Sequence, residues 1–166
     1  INLAADGDNL ILVSWVDNDV RVWDPASGKI LERYSNLQAP VAAVRYAGQL
    51  LATEHGTNRV ISLAADGVRG VFAMTSPSGL VVHAGALYVT DRESGSVYQL
   101  GANNQLLAAP QQVITGLVTP EGIASLGADF VIVEGATGHI KRVTLDGAQT
   151  LLATIPAGTP APGPAQ

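Results

Sequence analysis

The chain contains no cysteine. That excludes disulfides, thiolate metal sites and cysteine nucleophiles, and it fits either a reducing or an oxidising compartment. Basic residues are scarce. Nine bases stand against 14 acids for a net charge of −5, and only Lys29 and Lys141 are lysines. No basic face can form, so nucleic acid is not an expected partner, and anionic membrane surfaces are disfavoured too. No apolar run approaches the roughly 20 residues of a membrane span, and no stretch reads as a signal peptide. Helical periodicity is almost missing. Gly-rich phosphate loops, HExxH and Gly-x-Ser-x-Gly motifs are absent as well.

What is present is repetition. Hydrophobic residues make up 47% of the 166 positions, enough for one sizeable core. They alternate or come in runs of four to six, bounded by Gly, Asp, Asn and Pro, as strands do. Ser14, Glu54, Asp91 and Glu134 superpose at offsets of 40, 37 and 43 residues. Around this anchor other positions fall into register. Leu10, Leu50, Leu87 and Phe130 stand four before it, and Val20, Val60, Val97 and Ile140 six after it. Further on come Ala26, Asp66, Asn103 and Asp146, then Ser27, Gly67, Asn104 and Gly147. Pro40, Pro77 and Pro120 open copies two to four. A period near 40 residues with four short strands and three turns per copy predicts β-propeller blades.

The expected blades are 1–37, 38–76, 77–119 and 120–156, followed by a Pro/Ala-rich tail over 157–166. Small residues in the first strands (Ala4, Ala5, Ala42, Ala43, Gly79, Gly122, Ala124) suit the innermost position, where strands converge on the axis. Copy three is longer between Gln105 and Thr119, which predicts an extended loop on one face. The chain opens on Ile1, inside a first strand and without the proline opener. Three arrangements are compatible with four copies: the C-terminal part of a larger propeller with about two blades before Ile1, a four-bladed ring, or two chains combining into eight blades. The first is the expectation, whether a leader was removed or the piece belongs to something longer.

The copies resemble the repeats of NHL-type and gluconolactonase-like six-bladed propellers. The resemblance rests on Pro77-Ser-Gly-Leu and Pro120-Glu-Gly-Ile, on Glu54-His55-Gly56-Thr57-Asn58-Arg59-Val60, and on the later Asp-Gly. Copy one also resembles a WD-type or quinoprotein-like repeat at Val20-Arg21-Val22-Trp23-Asp24. The resemblance covers residues 1 to about 156. In gluconolactonase-like enzymes Glu, Asn and Asp from different blades hold one axial divalent ion. Glu121 is the nearest match here, and Ile1, Val41 and Ser78 occupy its place in the other copies, so that triad is not supported. Streptogramin lyase-like propellers use a His base beside an acid. His83 ends an innermost strand, while His55 and His139 fall in the turn before a third strand.

The ladder Glu54, Asp91 and Glu134 is the most tempting metal candidate, as a ring of carboxylates for Ca²⁺ or Mg²⁺. The favoured reading is structural: an acid ending a second strand accepts hydrogen bonds from the turn that follows it, or from Arg59. The catalytic candidates are His83 and Glu121, and the metal candidates are Glu54, Asp91, Glu134 and Glu121. Trp15 follows the ladder position and can reach a face, where it would suit a sugar or a partner protein. The expected function is a non-catalytic scaffold or binding propeller, with no cofactor and with a protein partner or self-association through exposed blade edges. The alternative is a lactonase, hydrolase or lyase that needs a divalent cation. Composition leans toward a bacterial, periplasmic or secreted protein.

Overall fold

The computed structural model describes residues 2–156, so the expected tail at 157–166 lies outside the described residues. The chain is all-β. It forms four sheets of four antiparallel strands, each hydrogen-bonded in chain order. Blade one comprises β1 (Asn2–Asp6), β2 (Asn9–Ser14), β3 (Asp19–Asp24) and β4 (Lys29–Tyr34). Blade two comprises β5 (Pro40–Tyr46), β6 (Gln49–Glu54), β7 (Arg59–Ala64) and β8 (Gly67–Ala73). Blade three comprises β9 (Pro77–His83), β10 (Ala86–Asp91), β11 (Ser96–Ala102) and β12 (Gln105–Ile114). Blade four comprises β13 (Pro120–Leu126), β14 (Asp129–Glu134), β15 (His139–Val143) and β16 (Gln149–Thr154). This is a four-bladed β-propeller. β1, β5, β9 and β13 are its innermost strands.

The same backbone device closes every blade. Asn18, Asn58, Gly95 and Gly138, each four residues after the anchor, adopt left-handed backbone with φ between 52 and 67°. Asn and Gly tolerate that region best. Their carbonyls accept the amides of Leu37, Met74, Leu117 and Ile155 at 2.8–3.0 Å, which ties the end of each outermost strand to the start of its third strand.

In place of the extended loop expected within Gln105–Thr119, β12 runs for ten residues, Gln105–Ile114. Its pairing with β11 jumps from Gly101↔Leu106 to Gln99↔Gln111, so the extra residues leave the ladder as a bulge. Pro110 lies in that bulge, where a missing N–H breaks no ladder bond.

Apolar burial is organised between blades. One cluster joins blade one to blade two, and includes Ile11, Val13, Val20, Leu50, Ala52 and Ile61. A second joins blades two and three, through Leu51, Val60, Leu80, Leu87 and Val89. A third joins blades three and four, through Tyr88, Val97, Phe130, Ile132 and Val143. Alternation along each strand explains the arrangement. Leu50 and Ala52 look back to blade one, while Leu51 looks forward to blade three. Blades two and three are therefore buried on both faces, and blades one and four on one. Among the described residues no buried apolar cluster joins blade four to blade one.

Two threonines pin the inner strands together. The Thr53 hydroxyl donates to the Ser78 carbonyl of the next blade at 2.7 Å, and Thr90 donates to the Glu121 carbonyl at 2.8 Å. Each also accepts an amide from its own innermost strand, Ala42 or Gly79. Gly79 is required by this approach, because a Cβ there would stand 2.4 Å from the Glu121 carbonyl oxygen.

Candidate functional site

The four innermost strands line an axial cavity of about 420 Å³, formed by residues 2–5, 42–45, 79–82 and 122–125. Its walls are small and apolar because the strands crowd together there. Arg45 is the charged residue in the lining. Its guanidinium is engaged by Asp6 at 2.8 Å and Glu32 at 2.9 Å.

The ladder acids do not face this cavity. Glu54, Asp91 and Glu134 are at most 1% exposed. Each reaches back sixteen residues to the connection that enters its blade. Glu54 accepts the Gln38 amide at 2.7 Å, Asp91 the Thr75 and Ser76 amides at 2.9 Å, and Glu134 the Val118 amide at 2.8 Å. The turn that follows supplies further donors. Glu54 is bound by Thr57 and Arg59, Asp91 by the Ser94 amide, and Glu134 by Thr137 and Lys141. The sequence pointed to the bonds with the following turn. The bonds to the preceding connection were missed, although one side chain clasps both. In blade one Ser14 holds the equivalent place, and its hydroxyl accepts the Asp17 amide at 3.1 Å. There the buried acid is Asp19, which takes Arg21 at 2.8 Å and Arg33 at 2.9 Å.

Burial pushes the Glu54 and Glu134 carboxyls up, but their hydrogen bonds and cations outweigh it, and both titrate below the ordinary value. A depressed carboxyl contributes stability that is complete above the unfolded-state value of about 4.3 and is lost as pH falls through the folded-state value. The thermal midpoint should therefore be flat above about pH 5 and fall below it. Glu134→Gln should give a shallower acid limb. Melting curves from neutral to acidic pH check this, and an acid limb of unchanged slope in the variant would contradict it.

The accessible chemistry lies at the mouth where the innermost strands begin. A hollow of about 230 Å³ there is lined by Asn2, Trp15, Val41, Ser78 and Glu121, among others. Trp15 is 45% exposed and Val16 86%. The Trp15 ring lies 5.5 Å from that of His55, whose Nδ1 is 3.4 Å from the Ser76 hydroxyl. Glu121 pairs with Arg92 at 3.1 Å. It lies over Gly135, where a Cβ would meet its Oε1 at 2.4 Å. An aromatic plate, a single acid and a hydroxyl can hold a ligand by stacking and hydrogen bonds.

His83 sits apart from the mouth and outside the cavity lining. It is 8% exposed and packs edge-on to Phe130 at 5.1 Å, with its Nδ1 3.0 Å from the Ser125 hydroxyl. His139 opens β15 and approaches Glu134 at 3.5 Å. His83 and Glu121 thus occupy opposite ends of innermost strands. Among the described residues no three His, Asp or Glu side chains stand close enough together to hold a metal ion.

No family model matches the chain, and no curated protein sequence does. Solved structures do match. Virginiamycin B lyase from Staphylococcus aureus superposes with a TM-score of 0.69 at 19% identity, over 93% of this chain and 55% of that one. A catalytically inactive form of that enzyme with quinupristin matches at 0.68 and 20% identity, over 94% and 55%. An auxiliary nutrient binding protein from Bacteroides thetaiotaomicron matches at 0.74 and 17% identity, over 95% and 42%. Likeness at this level of identity shows the propeller fold alone. The chain spans about half the length of the propellers it matches.

Proposed function

We propose that these blades form a non-catalytic scaffold or binding module, which meets a protein partner at the mouth marked by Trp15 and Val16. One observation carries the reading. The buried carboxylates that a reaction or a metal would need are each consumed by the backbone of their own blade. Among the described residues that line the hollow, the half-exposed Glu121 stands without a second acid or a histidine beside it. An aromatic next to an exposed valine is the composition of a contact surface rather than of a reaction centre. The likeness to a nutrient binding protein supports the same reading.

The competing reading is a metal-dependent lactonase or lyase, and it draws on the likeness to virginiamycin B lyase. Native mass spectrometry before and after chelation, with turnover assays on quinupristin and on a simple lactone in excess Mg²⁺, separates the two. The expected result is no retained ion and no ring opening. One chelatable ion per chain, together with ring opening lost in Glu121→Gln or His83→Ala, would overturn the binding module and establish the enzyme.

A further inference from the structure

The mouth carries side chains that the blades do not need for themselves. Trp15, His55, Arg92 and Gly135 share one repeat position, just after the anchor. Ser78 and Glu121 share another, just after the opening proline. Contacts between consecutive blades hold them in place. The Trp15 ring rests on His55 of blade two at 5.5 Å. Arg92 of blade three reaches Glu121 of blade four at 3.1 Å, and Thr90 pins the Glu121 backbone at 2.8 Å. Gly135 leaves free the space that the Glu121 carboxylate fills, since a Cβ there would stand 2.4 Å from Oε1.

Three chemical features meet at this hollow of about 230 Å³. The first is a single aromatic plate. Among the described residues that line it, Trp15 is the one aromatic, so the hollow offers a stacking face but no sandwich. The second is a pair of unspent polar groups. Ser78 is 4% exposed, and its carbonyl takes Thr53. Among the described residues its hydroxyl has no hydrogen-bond partner, although it lines the hollow. Glu121 spends Oε1 on Arg92 and keeps Oε2 open. The third is charge balance. The Arg92 guanidinium neutralises Glu121, so neither charge stands alone at the mouth.

Together these features select a ligand. An anion needs an unpaired cation, and an aromatic ligand gains most between two rings; the hollow supplies neither. A ring that is apolar on one face and carries hydroxyls round its edge fits both halves of the lining. A hydroxyl donates and accepts at once. It can donate to Glu121 Oε2, a charge-assisted bond, and share a proton with Ser78. The hollow is smaller than the roughly 300–1,000 Å³ of pockets for drug-sized ligands, which sets the ligand at about one ring.

We propose that the mouth recognises a neutral sugar ring, laid on Trp15 and hydrogen-bonded through its hydroxyls to Glu121 and Ser78. The inference rests on the mouth being a binding site, and it names the chemistry met there: a free saccharide, or a glycan on a partner protein whose surface meets Val16.

The chain has two tryptophans, so its proton–nitrogen spectrum carries two indole signals, which Trp15→Phe assigns. Glucose, galactose, mannose and N-acetylglucosamine are the probes, each titrated to about 100 mM because a ligand of one ring binds with about millimolar affinity. At least one should move the Trp15 indole signal saturably and leave that of Trp23 in place. Glucuronate and glucosamine, which add a charge of either sign, should bind no more tightly than glucose. Trp15→Ala should abolish the accompanying shifts of the Ser78 and Glu121 amides. Gly135→Ala should weaken binding about tenfold by displacing the carboxylate. Its thermal midpoint should stay near the parent's, because a half-exposed ion pair contributes little to stability. A high-mannose glycoprotein, before and after its glycans are cut off, separates the sources. Tighter binding of the intact glycoprotein than of mannose places the sugar on a protein partner, and equal binding makes it a free saccharide. Indole signals that ignore every neutral sugar, tighter binding of a charged sugar or of adenosine, or full affinity in Gly135→Ala would each overturn the proposal. The binding-module reading fails separately, through a retained ion and ring opening, which these titrations do not read.

Discussion

Replacing Asp91 with alanine should destabilise the fold by about 3–5 kcal/mol, because three backbone amides lose their acceptor together. The Thr75 and Ser76 amides lie 2.9 Å from Oδ2, and the Ser94 amide 3.1 Å from Oδ1. Asp91 is fully buried, so water cannot step in without opening the connection between blades two and three. An unsatisfied buried donor costs about 1–3 kcal/mol. In a chain of this size the thermal midpoint should fall by about 10 °C or more. Asp91→Asn keeps one acceptor oxygen but turns an NH₂ toward donors, so its loss should be intermediate. Urea or thermal unfolding of the three proteins checks the ranking. A metal ligand would behave differently, because its removal would spare the metal-free protein and abolish ion binding. The substitution therefore discriminates between the two roles a buried acid at this position can play.

The fold was legible because its information is periodic. One anchor and two flanking apolar positions, repeated in register, specify strand, turn and strand four times over, and no single motif needs to be strong. The paired face of each strand follows from parity, which also bears on His83. It stands two residues after Val81 on β9 and so points to the same side, toward Phe130 of blade four. Position in the repeat placed it at the end of an innermost strand, and parity turns it from the cavity into the blade interface. The clasp made by Glu54, Asp91 and Glu134 was half legible. The following turn is adjacent in sequence, whereas the amides of Gln38, Ser76 and Val118 are brought near only when the preceding connection folds back. Thr53 and Thr90 carried a signal that was available: a hydroxyl just before the ladder acid in two consecutive copies. Its use depends on how closely two innermost strands approach, which strand patterning alone does not encode. The bulge in β12 was read as a loop because extra length in one copy looks the same in sequence whether it leaves the sheet or is absorbed within it.

The mouth was less legible than the fold, since nothing in the repeat demands Trp15 or Glu121. Trp15 stands where copies two, three and four carry His55, Arg92 and Gly135. Glu121 stands where they carry Val41 and Ser78 and copy one carries Ile1. Residues that break a repeat are free of its structural demands, and two such breaks meet at one hollow. The ladder shows the reverse. Recurrence there marks a role that each blade needs for itself, and this separates a structural acid from a functional one without any alignment.

Phe130→Ala should be about as damaging as the loss of Asp91, but through packing and in one blade. Phe130 is fully buried between blades three and four, 5.0 Å from the Tyr88 ring and 5.1 Å from His83, both edge-on. Truncating a buried phenylalanine costs about 3–5 kcal/mol, and the aromatic pairs lost with it add to the cavity. Among the described residues, blade four has no second buried face to hold it in place. A repeat protein's stability is carried by its neighbour interfaces, so the damage should appear as local opening rather than even weakening. Hydrogen exchange should show β14 and β15 losing protection while β6 and β10 retain theirs. Equal loss along the whole chain would show that the blades unfold as one unit. Leu10→Ala is the matched control, because Leu10 holds the same repeat position on the uncovered face of blade one. It should cost less than Phe130→Ala, since Leu10 is only partly buried and less apolar surface is removed from water there.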